Sequence, residues 1–128
     1  MDIMRILLVE DDIDLAQFIR KGLKEERYAL DVAADGDAGL DLAMHNPYAL
    51  FILDIMWSKL DGLALCRVLR KIDPTVRILA ASGSSDDGRL REFRAMNIGE
   101  VLDKPFSTDS LLSALAETLN ARQGAFLS

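Results

Sequence analysis

The sequence predicts an α/β fold: a five-stranded parallel sheet with helices on both faces. Two observations carry that prediction. First, three short apolar runs each end in charged residues. Ile6-Leu7-Leu8-Val9 runs into Glu10-Asp11-Asp12, Leu50-Phe51-Ile52-Leu53 into Asp54, and Val101-Leu102 into Asp103-Lys104-Pro105. Runs this short and this apolar read as strands buried on both faces, the habit of parallel sheets. Second, stretches with helical period alternate with strand-like runs along the whole chain. Five βα units with short connections imply a parallel sheet covered on both sides.

The elements follow in order. After the first strand, Leu15, Phe18, Ile19 and Leu23 recur at helical spacing, giving a helix over about Ile13 to Glu26. Asp12 or Asp14 is placed to cap it. A second strand covers about Tyr28 to Ala33; Asp31 inside it points to a sheet edge. A short helix follows from about Asp37 to His45 and is closed by Asn46-Pro47. His45 sits near that helix end, where a cation complements the helix dipole. Ala49 to Leu53 is the most apolar strand and is placed centrally. Leu65, Val68, Leu69 and Ile72 mark a third helix that stops before Pro74.

Val76 to Ala81 is a fourth strand, and Ser82-Gly83-Ser84-Ser85 a loop by composition. A weaker helix spans about Asp86 to Met96, with Leu90 and Phe93 as its large apolar pair. Val101-Leu102 is a short fifth strand. Ser107 then caps a last helix bearing Leu111, Leu112, Leu115 and Leu119. The segment from Ala121 to Ser128 has no strong signal, so the domain is placed at residues 1–122 and a tail at 123–128.

Bulk properties narrow the function. The 128 residues suit one domain, and half of them are hydrophobic, enough for a real core. The net charge is −6, with the acidic excess in the first half. That argues against direct nucleic-acid binding, which needs a basic face. The single Cys66 cannot form an internal disulfide and fits a reducing compartment. Its neighbours Leu65 and Val68 suggest a packed thiol. No segment approaches the ~18 apolar residues of a membrane span. The N-terminus lacks the order of a signal peptide, so a cytosolic, soluble protein is expected.

In an open parallel sheet, ligands bind beyond the carboxyl ends of the strands. Three carboxylates and an ammonium should therefore converge on one rim. Such a gathering of like charge is costly unless a cation or a reaction uses it. Glu10, Asp11 and Asp54 offer oxygen ligands alone, which suits Mg²⁺; with no His or Cys beside them, zinc is disfavoured. The competing reading is that Asp11 and Asp12 merely cap the first helix. Lys104 is placed to pair with Asp54 or to hold a phosphate oxygen, although a lone lysine is more often simply solvated. Ser82 brings a hydroxyl to the same rim, where a serine before a glycine usually just marks a turn.

The joint pattern is far more specific than its parts. Leu7-Leu8-Val9-Glu10-Asp11-Asp12, Ile52-Leu53-Asp54-Ile55-Met56, Asp61-Gly62, Ser82-Gly83 and Lys104-Pro105-Phe106 resemble the receiver domain of two-component response regulators. The resemblance covers residues 5 to 120. It implies a flavodoxin-like doubly wound (βα)5 fold with strand order 2-1-3-4-5. It also implies that Asp54 accepts a phosphoryl group from a histidine of a histidine kinase or phosphotransfer protein. Asp11 and Asp54 would ligate Mg²⁺ with the backbone carbonyl of Met56, and Glu10 would contribute through a water. Lys104 would pair with Asp54 and then with the phosphoryl group. Ser82 would bind a phosphoryl oxygen and carry the conformational signal. Lys104-Pro105 would be a cis peptide. Self-phosphorylation and autodephosphorylation are implied, without turnover of a separate substrate. The last two helices and the fifth strand are the implied partner surface, including that of a homodimer. With no output domain after the last helix, a stand-alone receiver or one excised from a longer protein is expected.

The sequence departs from the family pattern in places. Val101 stands where the family often has an aromatic residue that turns inward on phosphorylation, which puts the usual serine-to-aromatic coupling in doubt. Ser58 stands where a proline is common. Trp57 beside it would shield an acyl phosphate, meet a partner or simply pack. Residues up to about Arg70 resemble receivers of winged-helix transcription regulators. Those after it resemble receivers of hybrid histidine kinases. A recombined receiver would explain this, though ordinary divergence is more economical.

Other function classes are weighed on the same residues. A haloacid-dehalogenase-like phosphatase would carry a second Asp two positions after its nucleophile; here that position is Met56. A non-phosphorylated interaction module on the same fold would not need the full acidic and lysine set. A flavin phosphate would be repelled by Glu10-Asp11-Asp12-Ile13-Asp14.

Overall fold

The computed structural model describes residues 3–55, 62–83 and 88–127, with side chains through Asn120. Five strands alternate with five helices: β1 (Arg5–Val9), α1 (Ile13–Glu25), β2 (Ala29–Ala33), α2 (Gly36–His45), β3 (Leu50–Asp54), α3 (Gly62–Ile72), β4 (Ile78–Ser82), α4 (Arg89–Met96), β5 (Gly99–Asp103) and α5 (Thr108–Leu127). All strand pairs are parallel, in the order β2-β1-β3-β4-β5. The fold and strand order are those expected, with β2 at an edge.

Strand alternation divides the core into two layers. Leu7, Val9, Phe51, Leu53, Ile78 and Ala80 face one side, where they meet Leu63, Leu65, Cys66 and Leu69 of α3 and Phe93 of α4. Ile6, Leu8, Leu50, Ile52, Leu79 and Leu102 face the other, against Ala16, Ile19 and Leu23 of α1 and Leu111 and Leu115 of α5. Burial on both faces explains why β1, β3 and β4 are almost continuously apolar. Val101 packs on the α3–α4 side with no aromatic ring to bury there.

The helix ends follow local chemistry. The Asp12 carboxylate accepts from the backbone N–H groups of Asp14 and Leu15, so Asp12 rather than Asp14 caps α1. Asp35 caps α2 through the Ala38 N–H at 2.8 Å. The Ser107 hydroxyl accepts from the Ser110 N–H at the start of α5. α4 begins at Arg89; Asp86 and Asp87, where the periodicity starts the helix, lie outside the described residues. It is flanked by left-handed Gly88 (φ 97°) and Asn97 (φ 54°) and buries Phe93. Arg67 of α3 reaches Glu92 of α4 at 2.7 Å. α5 runs further, through Leu127, because Ala, Arg and Gln are good helix formers even where apolar periodicity fades. No helix among the described residues is long and apolar enough to cross a membrane.

Candidate functional site

The parallel register brings four strand ends to one rim. Val9 pairs with Leu53, so Glu10, one residue past β1, lies level with Asp54 at the end of β3. Asp54 in turn pairs with Ala81, and Ser82 with Asp103. Lys104 follows directly on β5, two strands from Asp54. Neighbouring strands stand about 4.8 Å apart, so its ammonium must cross roughly 10 Å over the end of β4. It does so: Nζ of Lys104 donates to Oδ2 of Asp54 at 2.7 Å. Both side chains are largely sheltered, 27% and 17% exposed, so the pair is screened less than a surface ion pair.

A ladder bond holds the backbone of the lysine. The Lys104 N–H donates to the Ser82 carbonyl at 2.7 Å, extending the β4–β5 ladder by one bond. The Lys104–Pro105 peptide is cis, as expected. Beyond it, the Phe106 ring meets Phe18 of α1 with centroids 6.1 Å apart.

Glu10 registers the charge of the whole rim. Burial pushes its carboxyl above the ordinary value near 4.5; the Lys104 ammonium and the Asp12 N–H oppose this, and the carboxylates of Asp54 and Asp11 add to it. The Asp12 N–H donates to Oε1 of Glu10 at 3.3 Å. Asp11 is exposed beside it. Asp12 is committed to capping α1, and Asp103 is exposed on β5, so neither side chain joins the cluster.

Ser82 lies at the rim, fully buried, but its hydroxyl donates to the Gly83 carbonyl at 3.1 Å. It shares its sheet face with Ile78 and Ala80, the α3–α4 side. The structure thus joins Lys104 to Asp54 and sets Glu10 and Asp11 on the same rim, while Ser82 stands by with its hydroxyl turned to its own loop. Met56, Trp57 and Ser58 lie outside the described residues. His45 is far from this chemistry, exposed at the end of α2, where its ring Nδ1 is 2.7 Å from the Asp41 carbonyl.

The donor set fits a hard divalent cation. Its side chains are all carboxylates, and Glu10 is raised by burial and by negative charge that a cation would offset. Among the described residues no three His, Cys, Asp or Glu side chains are already drawn together as a ligand group. Mg²⁺ takes one or two protein carboxylates and keeps waters and phosphate oxygens for its other positions.

The family model for the response regulator receiver domain matches residues 6–116. The chain belongs to the response regulator receiver domain family. The receiver is 38% identical over 116 residues to the response regulator ArlR of Staphylococcus epidermidis, covering 89% of this chain and 52% of that protein. It is 37% identical over 116 residues to the transcriptional regulatory protein HprR of Escherichia coli, covering 91% and 52%. The receiver therefore spans about half the length of these curated relatives. Among solved structures, the CheY-like receiver domain protein of Methanospirillum hungatei superposes with a TM-score of 0.89 at 22% identity, covering 97% of this chain and 99% of that one. That likeness speaks for the fold alone.

One connection was not predicted from sequence. Tyr48 donates to Oδ2 of Asp31 at 2.7 Å, and Arg5 meets the same oxygen at 3.1 Å. A tyrosine just before β3 and an acid on the edge strand β2, two strands away across β1, are its sequence signs.

Proposed function

We propose that this receiver takes a phosphoryl group onto Asp54 from a phosphohistidine of a histidine kinase or phosphotransfer protein. It then relays a conformational change to a downstream protein or output domain. The observation that carries the reading is the short Lys104–Asp54 ion pair inside an acidic rim. A carboxylate is a poor nucleophile toward an anionic phosphoryl group unless positive charge is fixed beside it.

Asp54 attacks phosphorus through a carboxylate oxygen. The P–N bond to the imidazole breaks, its electron pair stays on the ring nitrogen, and that nitrogen takes up a proton. Lys104 holds Asp54 in line and then pairs with the new phosphoryl oxygens. Asp11 and Asp54 would hold Mg²⁺ with the Met56 carbonyl, and Glu10 would act through a water. When bound, Mg²⁺ supplies charge neutralisation to the transferring phosphoryl group. Ser82 would turn its hydroxyl from Gly83 to a phosphoryl oxygen. Water later attacks the acyl phosphate, releasing inorganic phosphate and restoring Asp54, so the cycle is one of self-modification.

The functional unit is residues 1–122. A cytoplasmic location fits the reading, as does a partner or homodimer surface on α4, β5 and α5. Direct nucleic-acid contact by an acidic domain does not. Intact-mass spectrometry after treatment with a small phosphodonor and Mg²⁺ tests the proposal. One phosphoryl group should be added, and Asp54→Asn should abolish it. Equal labelling of the variant refutes the assignment of Asp54.

A further inference from the structure

The first residue of α3 touches the backbone that carries Asp54. A Cβ built on Gly62 would lie 2.6 Å from the Asp54 carbonyl oxygen, 2.8 Å from Cα of Ile55 and 3.3 Å from the Asp54 carbonyl carbon. These are main-chain atoms of a buried strand end, which cannot swing aside as a flexible side chain does. Gly62 is buried, and its φ lies outside the left-handed region. A left-handed backbone therefore does not account for the glycine. What it supplies is space.

We propose that Gly62 is a positioning residue for phosphoryl transfer. Its missing side chain lets the first turn of α3 rest on the Asp54–Ile55 peptide and so fixes the direction of the Asp54 carboxylate. This rests on reading Asp54 as the phosphoryl acceptor. The peptide is held from the other side as well, by the Ile55 N–H donating to the Ala81 carbonyl at 3.3 Å. Any Cβ at position 62 must push either α3 or this peptide. The second choice shifts the carboxylate against Lys104, which it meets at 2.7 Å.

The test compares the full chain, Gly62→Ala and Gly22→Ala. Gly22 is a buried glycine of α1 whose Cβ would meet the Thr108 side chain at 3.2 Å, so it serves as a packing control. Initial rates of phosphoryl addition are measured by intact mass with saturating phosphoramidate and Mg²⁺. Rates are normalised to the folded fraction from circular dichroism, with trimethylamine N-oxide added to hold destabilised variants folded. Gly62→Ala should be slower by about tenfold or more, with Gly22→Ala within about twofold of the parent. The amide resonances of Ile55 and Lys104 should shift in Gly62→Ala and stay in place in Gly22→Ala. A folded Gly62→Ala that reacts at the parent rate overturns the positioning role while leaving Asp54 as acceptor. A parent chain that takes up no phosphoryl group overturns both.

Discussion

Nζ of Lys104 stands 2.7 Å from Oδ2 of Asp54, joining the end of β5 to the end of β3 over the intervening β4. The lysine is also the strongest electrostatic influence holding the Glu10 carboxyl down against its burial. Lys104→Met should therefore raise the Glu10 titration midpoint further. Carboxyl-carbon NMR across a pH series measures this, and a midpoint that stays put or falls contradicts the electrostatic account of the rim.

Glu10 itself gives a stability prediction with a definite sign. Its folded pKa is raised above 4.5, so the folded state holds its proton longer than the unfolded chain does. Stability therefore falls as pH rises from about 4.5 through the folded pKa, and the cost is complete above that. Glu10→Gln should stabilise the metal-free protein at neutral pH, with no gain below pH ~4. The gain should be modest, because the carboxyl is partly exposed and is screened by water. Urea melts at two pH values without Mg²⁺ check it. In the presence of Mg²⁺ the same variant should bind the ion more weakly.

The Tyr48–Asp31 bond titrates at both ends of the pH scale. The Tyr48 hydrogen bond is the main influence holding the Asp31 carboxyl below its usual range, with Arg5 assisting and burial opposing. Its stabilisation is present above the unfolded pKa near 3.8 and is lost as pH falls through the folded value. Burial, with the bond to Asp31 second, pushes the Tyr48 phenol up to about 12. Between about 10 and 12, rising pH therefore removes stability as well. Tyr48→Phe should cost about 1 kcal/mol at neutral pH. It should also return the Asp31 titration toward its usual value. An unmoved Asp31 midpoint would show that Arg5 governs it.

Phe93 is the buried anchor of α4, and its ring is fully enclosed. Phe93→Ala should cost about 3–5 kcal/mol if the sheet keeps its shape around the void. Because α4 has left-handed residues at both ends and no side-chain cap bond at its start, the loss should appear there first. Hydrogen exchange should accelerate in Arg89–Met96 more than in α1 or α5. Uniform acceleration throughout would show that α4 unfolds only with the whole domain.

Much of the fold was legible because burial on both faces writes itself as unbroken apolar runs. β1, β3 and β4 lie within a residue or two of where those runs place them. The rim was legible for the same reason: charge directly after such a run has one place to go. What sequence hid was contact between elements remote in the chain. Nothing near Tyr48 announces Asp31 as its partner, and nothing near Gly62 announces the Asp54 carbonyl. Ser82 was legible as a rim residue, yet its hydroxyl direction depends on a local bond to Gly83 that only coordinates reveal. α5 outran its apolar pattern because Ala, Arg and Gln favour a helix without marking it by apolar periodicity.

The Lys104–Asp54 link spans a sequence separation of 50 residues. Closing so long a loop has an entropic cost that is met only once β4 has seated between β3 and β5. The rim is therefore complete only when β3, β4 and β5 share one register. A chain with β1, β2 and β3 already paired still carries Asp54 without its counter-ion. The site thus reports on the completeness of the domain that bears it, because chemistry that needs the lysine is withheld until β5 is in place.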